Sequence, residues 1–453
     1  MTELPSGAPA PGARRAVARP RSIRRTRTAL VALCALALVP AAVAIGSPAA
    51  TAAAPRPQAT GPAEPAPATP HPGTPGQGAP QPDITHQIDP KPTPARPRAV
   101  VTVGDGFLAG EGARWAGNAQ GLKNNGGVPQ ELRDATDRTR SAGVALEKIY
   151  SADCRRSDAV VLAANDAGRH HNIACSGAAT EQLSRPVENQ QAQLEQLRKL
   201  ATENDVTAVI VSVGGTDVRL TDTMAVCADA WKDNRYCSTD PAITGPAGER
   251  TAAVGEKVAE AVQAVRAAVE GTGSAPRVIL QSYPLPLASG EAAATDGHDE
   301  NSWDRWSAYG CPFYNRDLQW LAKDIGRALN AEIKKAAKAA GADFVELGRL
   351  LEGHQVCASQ PLQTTFTADG TVDAPSAAQA QWARYVPRAR VQLPADEARE
   401  VLHPNYYGQQ ALSHCLTEVV GKLTATPDQP ATRARCVGAA DRSPQQITVS
   451  YGG

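Results

Sequence analysis

The sequence has no C-x-x-C pair anywhere. Cysteine-based zinc modules are built on that spacing, so its absence argues against a metal site. No metal and no cofactor is expected. Net charge is missing as well: 46 Lys and Arg balance 46 Asp and Glu. A balanced chain has no electrostatic footprint for nucleic acid. It also offers no polybasic attraction to an anionic membrane. The apolar run from Ala29 to Ile45 is broken by Pro40 and falls short of the ~20 residues that a membrane span needs. No internal repeat is present.

What is there divides the chain. Seven arginines between Arg14 and Arg27 precede the apolar run, and SPAATAAAP follows it. A basic stretch, an apolar core and small residues at an A-x-A site describe a secretory signal peptide, cleaved near Ala52 or Ala54. Residues 1–54 are read as that signal, and the mature chain is then expected outside the cell, with no stable membrane span. Removal leaves 39 basic against 45 acidic residues, a net of about −6, which again disfavours nucleic acid. Residues 55–98 carry proline every few positions and little to bury. Such a stretch cannot offset its chain entropy and reads as a disordered linker, which suggests a stalk at the cell wall. Residues 99–440 are read as one folded domain and 441–453 as a C-terminal tail. A monomer is expected.

Eight cysteines remain after export: Cys154, Cys175, Cys227, Cys237, Cys311, Cys357, Cys415 and Cys436. An even number in an oxidising compartment implies four disulfides, with 105 connectivities open. Joining neighbours closes the shortest loops and predicts 154–175, 227–237, 311–357 and 415–436.

Five apolar runs read as strands: 99–103, 172–175, 207–215, 277–283 and 342–348. Helical spacing falls at 188–200, 252–269, 318–340 and 404–423, the last opened by Pro404 at a good first-turn position. Strands alternating with helices predict an α/β fold with a mostly parallel, five-stranded sheet covered on both faces. Ligands in such sheets sit beyond the carboxyl ends of the strands. GDGFLAGEG (104–112), ACSGA (174–178) and VGGTD (213–217) all follow strands, and EVLHPN (400–405) precedes the last helix. Trp303, Trp306 and Tyr309 cluster near Cys311 and read as packing rather than a ligand groove. His170 and His171 read as a surface turn rather than a metal site.

These four stretches, in this order, resemble the SGNH/GDSL hydrolases, secreted esterases and lipases of actinobacterial type. GARWAGN (112–118) and HPNYYGQ (403–409) strengthen the likeness, which covers the whole folded domain. The resemblance implies a flavodoxin-like α/β/α sandwich. It also implies serine chemistry: a histidine base takes the serine proton, a carboxylate orients the imidazole, and preorganised donors hold the oxyanion. Carried over, His403 is the base, Glu400 stands where the pattern has aspartate, and Gly177 is an oxyanion donor. Thr216 stands where asparagine belongs; its hydroxyl can still donate, from a shorter arm. Gly106 stands where the serine belongs, and its N–H is the remaining oxyanion donor. Asp105 reads as a structural hydrogen-bonding partner and Ser176 as a turn residue.

Two readings follow. In one, the site has diverged, ester hydrolysis is lost or strongly impaired, and the pocket binds an acylated or glycosylated ligand of the cell envelope. In the other, the protein is an active esterase or lipase that uses a different nucleophile or a water activated by His403. The ligand in either is a small ester, lipid or glycan. A purely structural wall protein is a third reading, suggested by the stalk alone.

Overall fold

The computed structural model describes residues 95–113, 154–157, 169–187, 189–294, 299–307, 310–359, 365–366, 372–373, 376–384 and 399–452. The chain divides into two units, Met1–Ile88 and Asp89–Gly453, and all described residues belong to the second. The signal peptide, nearly all of the linker, Tyr309 and most of GARWAGN lie outside them.

Seven strands form one sheet: β1 (Arg98–Gly104), β2 (Arg169–Asn172), β3 (Asp205–Ser212), β4 (Arg277–Gln281), β5 (Asp343–Arg349), β8 (Arg433–Val437) and β9 (Thr448–Tyr451), in the order β2-β1-β3-β4-β5-β8-β9. A separate two-stranded ribbon joins β6 (Thr365–Phe366) to β7 (Val372–Asp373). Every pairing in the main sheet is parallel except β8 with β9. The five predicted strands are present, so the α/β class holds, but the sheet has seven strands rather than five. β9 lies within the stretch read as a tail, so residues 448–451 complete the sheet edge. The second predicted strand also shifts: β2 is RHHN, and Ile173–Cys175 already lead into the next turn.

β3 is an inner strand, and its DVTAVIVS run is buried along nearly its whole length. That is what a strand covered on both faces requires. The helices Gln193–Glu203, Pro241–Val269 and Ala328–Ala339 pack against one another and onto β3, β4 and β5, while Tyr406–Ala425 packs on β3 and β9. The result is a three-layer α/β/α sandwich. Pro241–Val269 begins well before the predicted Ala252, because Asp240 accepts a hydrogen bond from the Ala242 N–H and Pro241 takes the first turn, a favourable start. All four disulfides join neighbours as expected: Cys154–Cys175, Cys227–Cys237, Cys311–Cys357 and Cys415–Cys436. Among the described residues no helix is long and apolar enough to cross a membrane.

Candidate active site

β1 ends where it touches β3. Gly104 sits at φ +144°, and a Cβ there would overlap the Ser212 carbonyl. Only glycine permits that approach. Gln193 then brackets the same residue: its Oε1 accepts from the Gly104 N–H at 2.7 Å, and its Nε2 donates to the Gly104 carbonyl at 2.9 Å. The Cys175 N–H donates to that carbonyl too, also at 2.9 Å. The first and second turns are thereby held side by side.

Asp105 caps the four-residue helix α1 (Gly106–Ala109), accepting from the Phe107 N–H at 3.2 Å. It also accepts from the Tyr283 hydroxyl. That hydroxyl accepts from the Gly215 N–H at 2.7 Å, which ties in the third turn and Thr216 beside it. Asp105 is thus the structural partner that the sequence suggested. Burial dominates its ionisation and raises the carboxyl to about 7, although the Tyr283, Phe107 and Ser212 hydrogen bonds pull the other way. Tyr283 is held well above its ordinary value, first by burial and then by the neighbouring Asp105.

The fourth stretch is fixed by a neighbouring loop. The Arg384 N–H donates to the His403 carbonyl and the Leu402 N–H to the Arg384 carbonyl, both at 2.9 Å. Asn405 anchors to the Gln381 carbonyl through Nδ2 at 2.7 Å, while its Oδ1 caps the last helix through the Tyr407 and Gly408 N–H groups at 3.0 and 3.2 Å. His403 is thereby set against the Phe107 ring, with centroids 4.5 Å apart. Its Nδ1 lies 3.3 Å from the Val401 carbonyl oxygen. Glu400 is wholly buried just before it.

Gly106 faces the other ring nitrogen. A Cβ built on it would stand 3.1 Å from His403 Nε2. A seryl side chain there would reach the imidazole, so the structure brings positions 106 and 403 together. Gly177 lies in the second turn at φ +78°, a conformation that side chains other than glycine's resist, and nothing lies within 4 Å of a Cβ built on it. The Gly106 and Gly177 N–H groups are both without a backbone acceptor among the described residues.

One residue of the site was missed in sequence. Glu111 is 2 % exposed, and its Oε2 accepts a hydrogen bond from Ser176 Oγ. The same oxygen is 3.7 Å from His403 Nε2, and Oε1 is 3.8 Å from Arg155 Nε. It lies only 2.5 Å from the Cβ position of residue 106. The carboxylate therefore fills the space that a side chain at position 106 would take. The signal was its spacing. α1 is a single turn closed by Gly110 at φ +92°, and the Glu111 N–H donates back to the Gly106 carbonyl at 3.0 Å. Five residues along the chain return Glu111 to position 106.

The other candidates lie elsewhere. His170 is on β2, 3.1 Å from Thr102 Oγ1, and burial lowers its imidazole to about 4. The pair is part of a strand rather than a turn. Among the described residues no group of three His, Cys, Asp or Glu is placed to hold a metal. Trp306 is buried with Trp231 and Tyr314, as packing requires, while Trp303 is 50 % exposed.

The model of the GDSL-like lipase/acylhydrolase family matches residues 102–411. Among solved structures, the chain is similar to an extracellular lipase from Streptomyces rimosus, at 17% identity and a TM-score of 0.41, covering 69% of this chain and 94% of that one. It is similar also to a phospholipase A1 from Streptomyces albidoflavus, at 17% identity and a TM-score of 0.42, covering 72% and 99%. A carbohydrate acetylesterase from Sinorhizobium meliloti aligns at 14% identity and a TM-score of 0.27, covering 72% and 99%. No curated protein matches the chain.

Proposed function

The chain belongs to the GDSL-like lipase/acylhydrolase family, and from that premise we propose that its serine-dependent ester hydrolysis is lost or strongly impaired. The retained site binds an acylated or glycosylated ligand, in a protein exported from the cell and acting as a monomer at or near its wall. One observation carries this reading. The position that faces His403 Nε2 has no side chain, and the Glu111 carboxylate occupies its space. Loss of a triad nucleophile costs on the order of 10⁶ in turnover and leaves about 10³–10⁴ over water.

A fluorophosphonate probe and a short-chain nitrophenyl ester test the reading, with native protein beside Gly106→Ser. The expected outcome is no covalent labelling of the native protein and both labelling and turnover in the serine variant. Labelling of the native protein at any serine would refute it.

A second reading has its own support. His403, with the Val401 carbonyl beside Nδ1, keeps its approach to position 106, and the Gly106 and Gly177 N–H groups stay unengaged among the described residues. Base and oxyanion donors would then serve a hydrolysis that needs no serine.

A further inference from the structure

We propose that Glu111 is a catalytic residue, the proton acceptor for a water that attacks an ester carbonyl where the serine would have attacked. The inference rests on the second reading above and names the group that it lacks. Three observations lead to it. Glu111 Oε2 lies in the nucleophile's place, 2.5 Å from the Cβ position of residue 106. It is 3.7 Å from His403 Nε2, so a carboxyl group and an imidazole sit together at one centre. Its second oxygen, Oε1, is buried and has no hydrogen-bond partner among the described residues. Its nearest cation, Arg155 Nε at 3.8 Å, pairs with it by charge alone, and a buried acceptor without a hydrogen bond is costly unless a donor such as water supplies one.

The step balances. The carbonyl oxygen rests on the Gly106 and Gly177 N–H groups. Water oxygen bonds to the acyl carbon as its proton passes to the Glu111 carboxylate, and the π pair moves onto the carbonyl oxygen. The pair returns, the ester C–O bond breaks, and the leaving oxygen takes a proton from the His403 imidazolium. Glu111 then closes on Nε2 and returns the proton. One water is consumed, and one acid and one alcohol are released. Two groups share the acid and base roles that one imidazole plays in the serine route. Without covalent catalysis, the ligand class is an ester with a good leaving group, such as an aryl or enol ester.

The test compares native protein, Glu111→Gln, Gly106→Ser and Gly106→Ser/Glu111→Ala on one nitrophenyl ester, each also exposed to a fluorophosphonate and to hydroxylamine. General acid–base catalysis contributes about 10²–10⁴-fold. Glu111→Gln should therefore lose about 100-fold or more of the native rate, with no label and no hydroxamate on the native protein. The double variant should label and turn over through its serine, which shows that removing Glu111 leaves the site folded. A native rate no faster than buffer, on an ester that Gly106→Ser cleaves, overturns the inference and leaves the loss of serine chemistry standing. An undiminished rate in Glu111→Gln overturns it, as does a hydroxamate at Glu111, which would make the carboxylate a nucleophile. Fluorophosphonate labelling of the native protein overturns the reading beneath it instead. If Gly106→Ser and Gly106→Ser/Glu111→Ala are both inert too, both fall.

Discussion

Asp105 should make the protein less stable as pH rises from about 4 to 7. Its carboxyl is fully buried, and burial moves it from the ordinary 3.8 to about 7 in the folded state. Between those values the native state keeps a proton that the unfolded chain has released. Stability therefore falls as pH rises, by up to ~1.4 kcal/mol per pH unit. The contribution is whole below the unfolded value and gone above the folded one. The gap corresponds to about 4 kcal/mol. Asp105→Asn keeps the shape and removes the titration. Tyr283, held well above its ordinary value, stays a donor throughout. Urea unfolding of both proteins between pH 3.5 and 8 isolates the effect, because all other titrating groups are shared. The stability difference, variant minus native, should climb with pH and level off beyond about 7. The hydrogen bonds set only a constant offset, since one amide oxygen cannot serve both the Phe107 N–H and the Tyr283 hydroxyl as the two carboxyl oxygens do. A difference that stays flat with pH would show that Asp105 is ionised in the fold and that the buried network is misread.

Two further changes probe the scaffold of the site. Asn405→Ala removes the cap on the last helix and the anchor to Gln381; thermal unfolding should show a loss of about 2 kcal/mol, and in a Gly106→Ser background turnover should fall because the His403 loop is released. Gly177→Ala meets no atom but must hold φ +78°, which costs roughly 1–2 kcal/mol; denaturant midpoints should show that modest loss, whereas Gly104→Ala, blocked by the Ser212 carbonyl, should fail to yield folded protein.

The framework of the sheet was legible because burial on both faces leaves a plain mark. TAVIVSVGG reads as a covered strand, and β3 is one. The cysteine spacings were equally plain once export was inferred, and the four bridges follow them. The sheet edges were harder. β8 is RARCV, with Ala434 and Cys436 turned inward. Arg433 and Arg435 both reach Glu346 on the neighbouring strand. Its apolar content is too thin to stand out, although its alternation is that of a half-buried strand. β9 pairs at the outer edge with the same alternation, TVSY. β2 was displaced for a related reason: its four residues are partly exposed histidine, arginine and asparagine, while the apolar Ile173 and Ala174 beside it are buried in the turn.

The site divides along the same line. Gly106, Gly177 and His403 each belong to a local pattern that the sequence displays, and the fold brings positions 106 and 403 together where β1 ends. Glu111 was missed, since its five-residue spacing from position 106 gains meaning only once the turn between them is known. Its role depends on a helix of one turn, a left-handed Gly110 and a return to position 106. That geometry joins two features which look separate in sequence. A Cβ at residue 106 would stand 2.5 Å from Glu111 Oε2, inside the contact distance of carbon and oxygen. A seryl side chain and this carboxylate cannot hold their places together, so one must move when the other is present. The glycine and the carboxylate are therefore coupled: absence of a side chain at position 106 admits the carboxylate beside His403. The single change Gly106→Ser must displace Glu111 from Ser176 before the introduced hydroxyl can meet the imidazole. Turnover in Gly106→Ser should accordingly rise further when Glu111 is shortened to alanine.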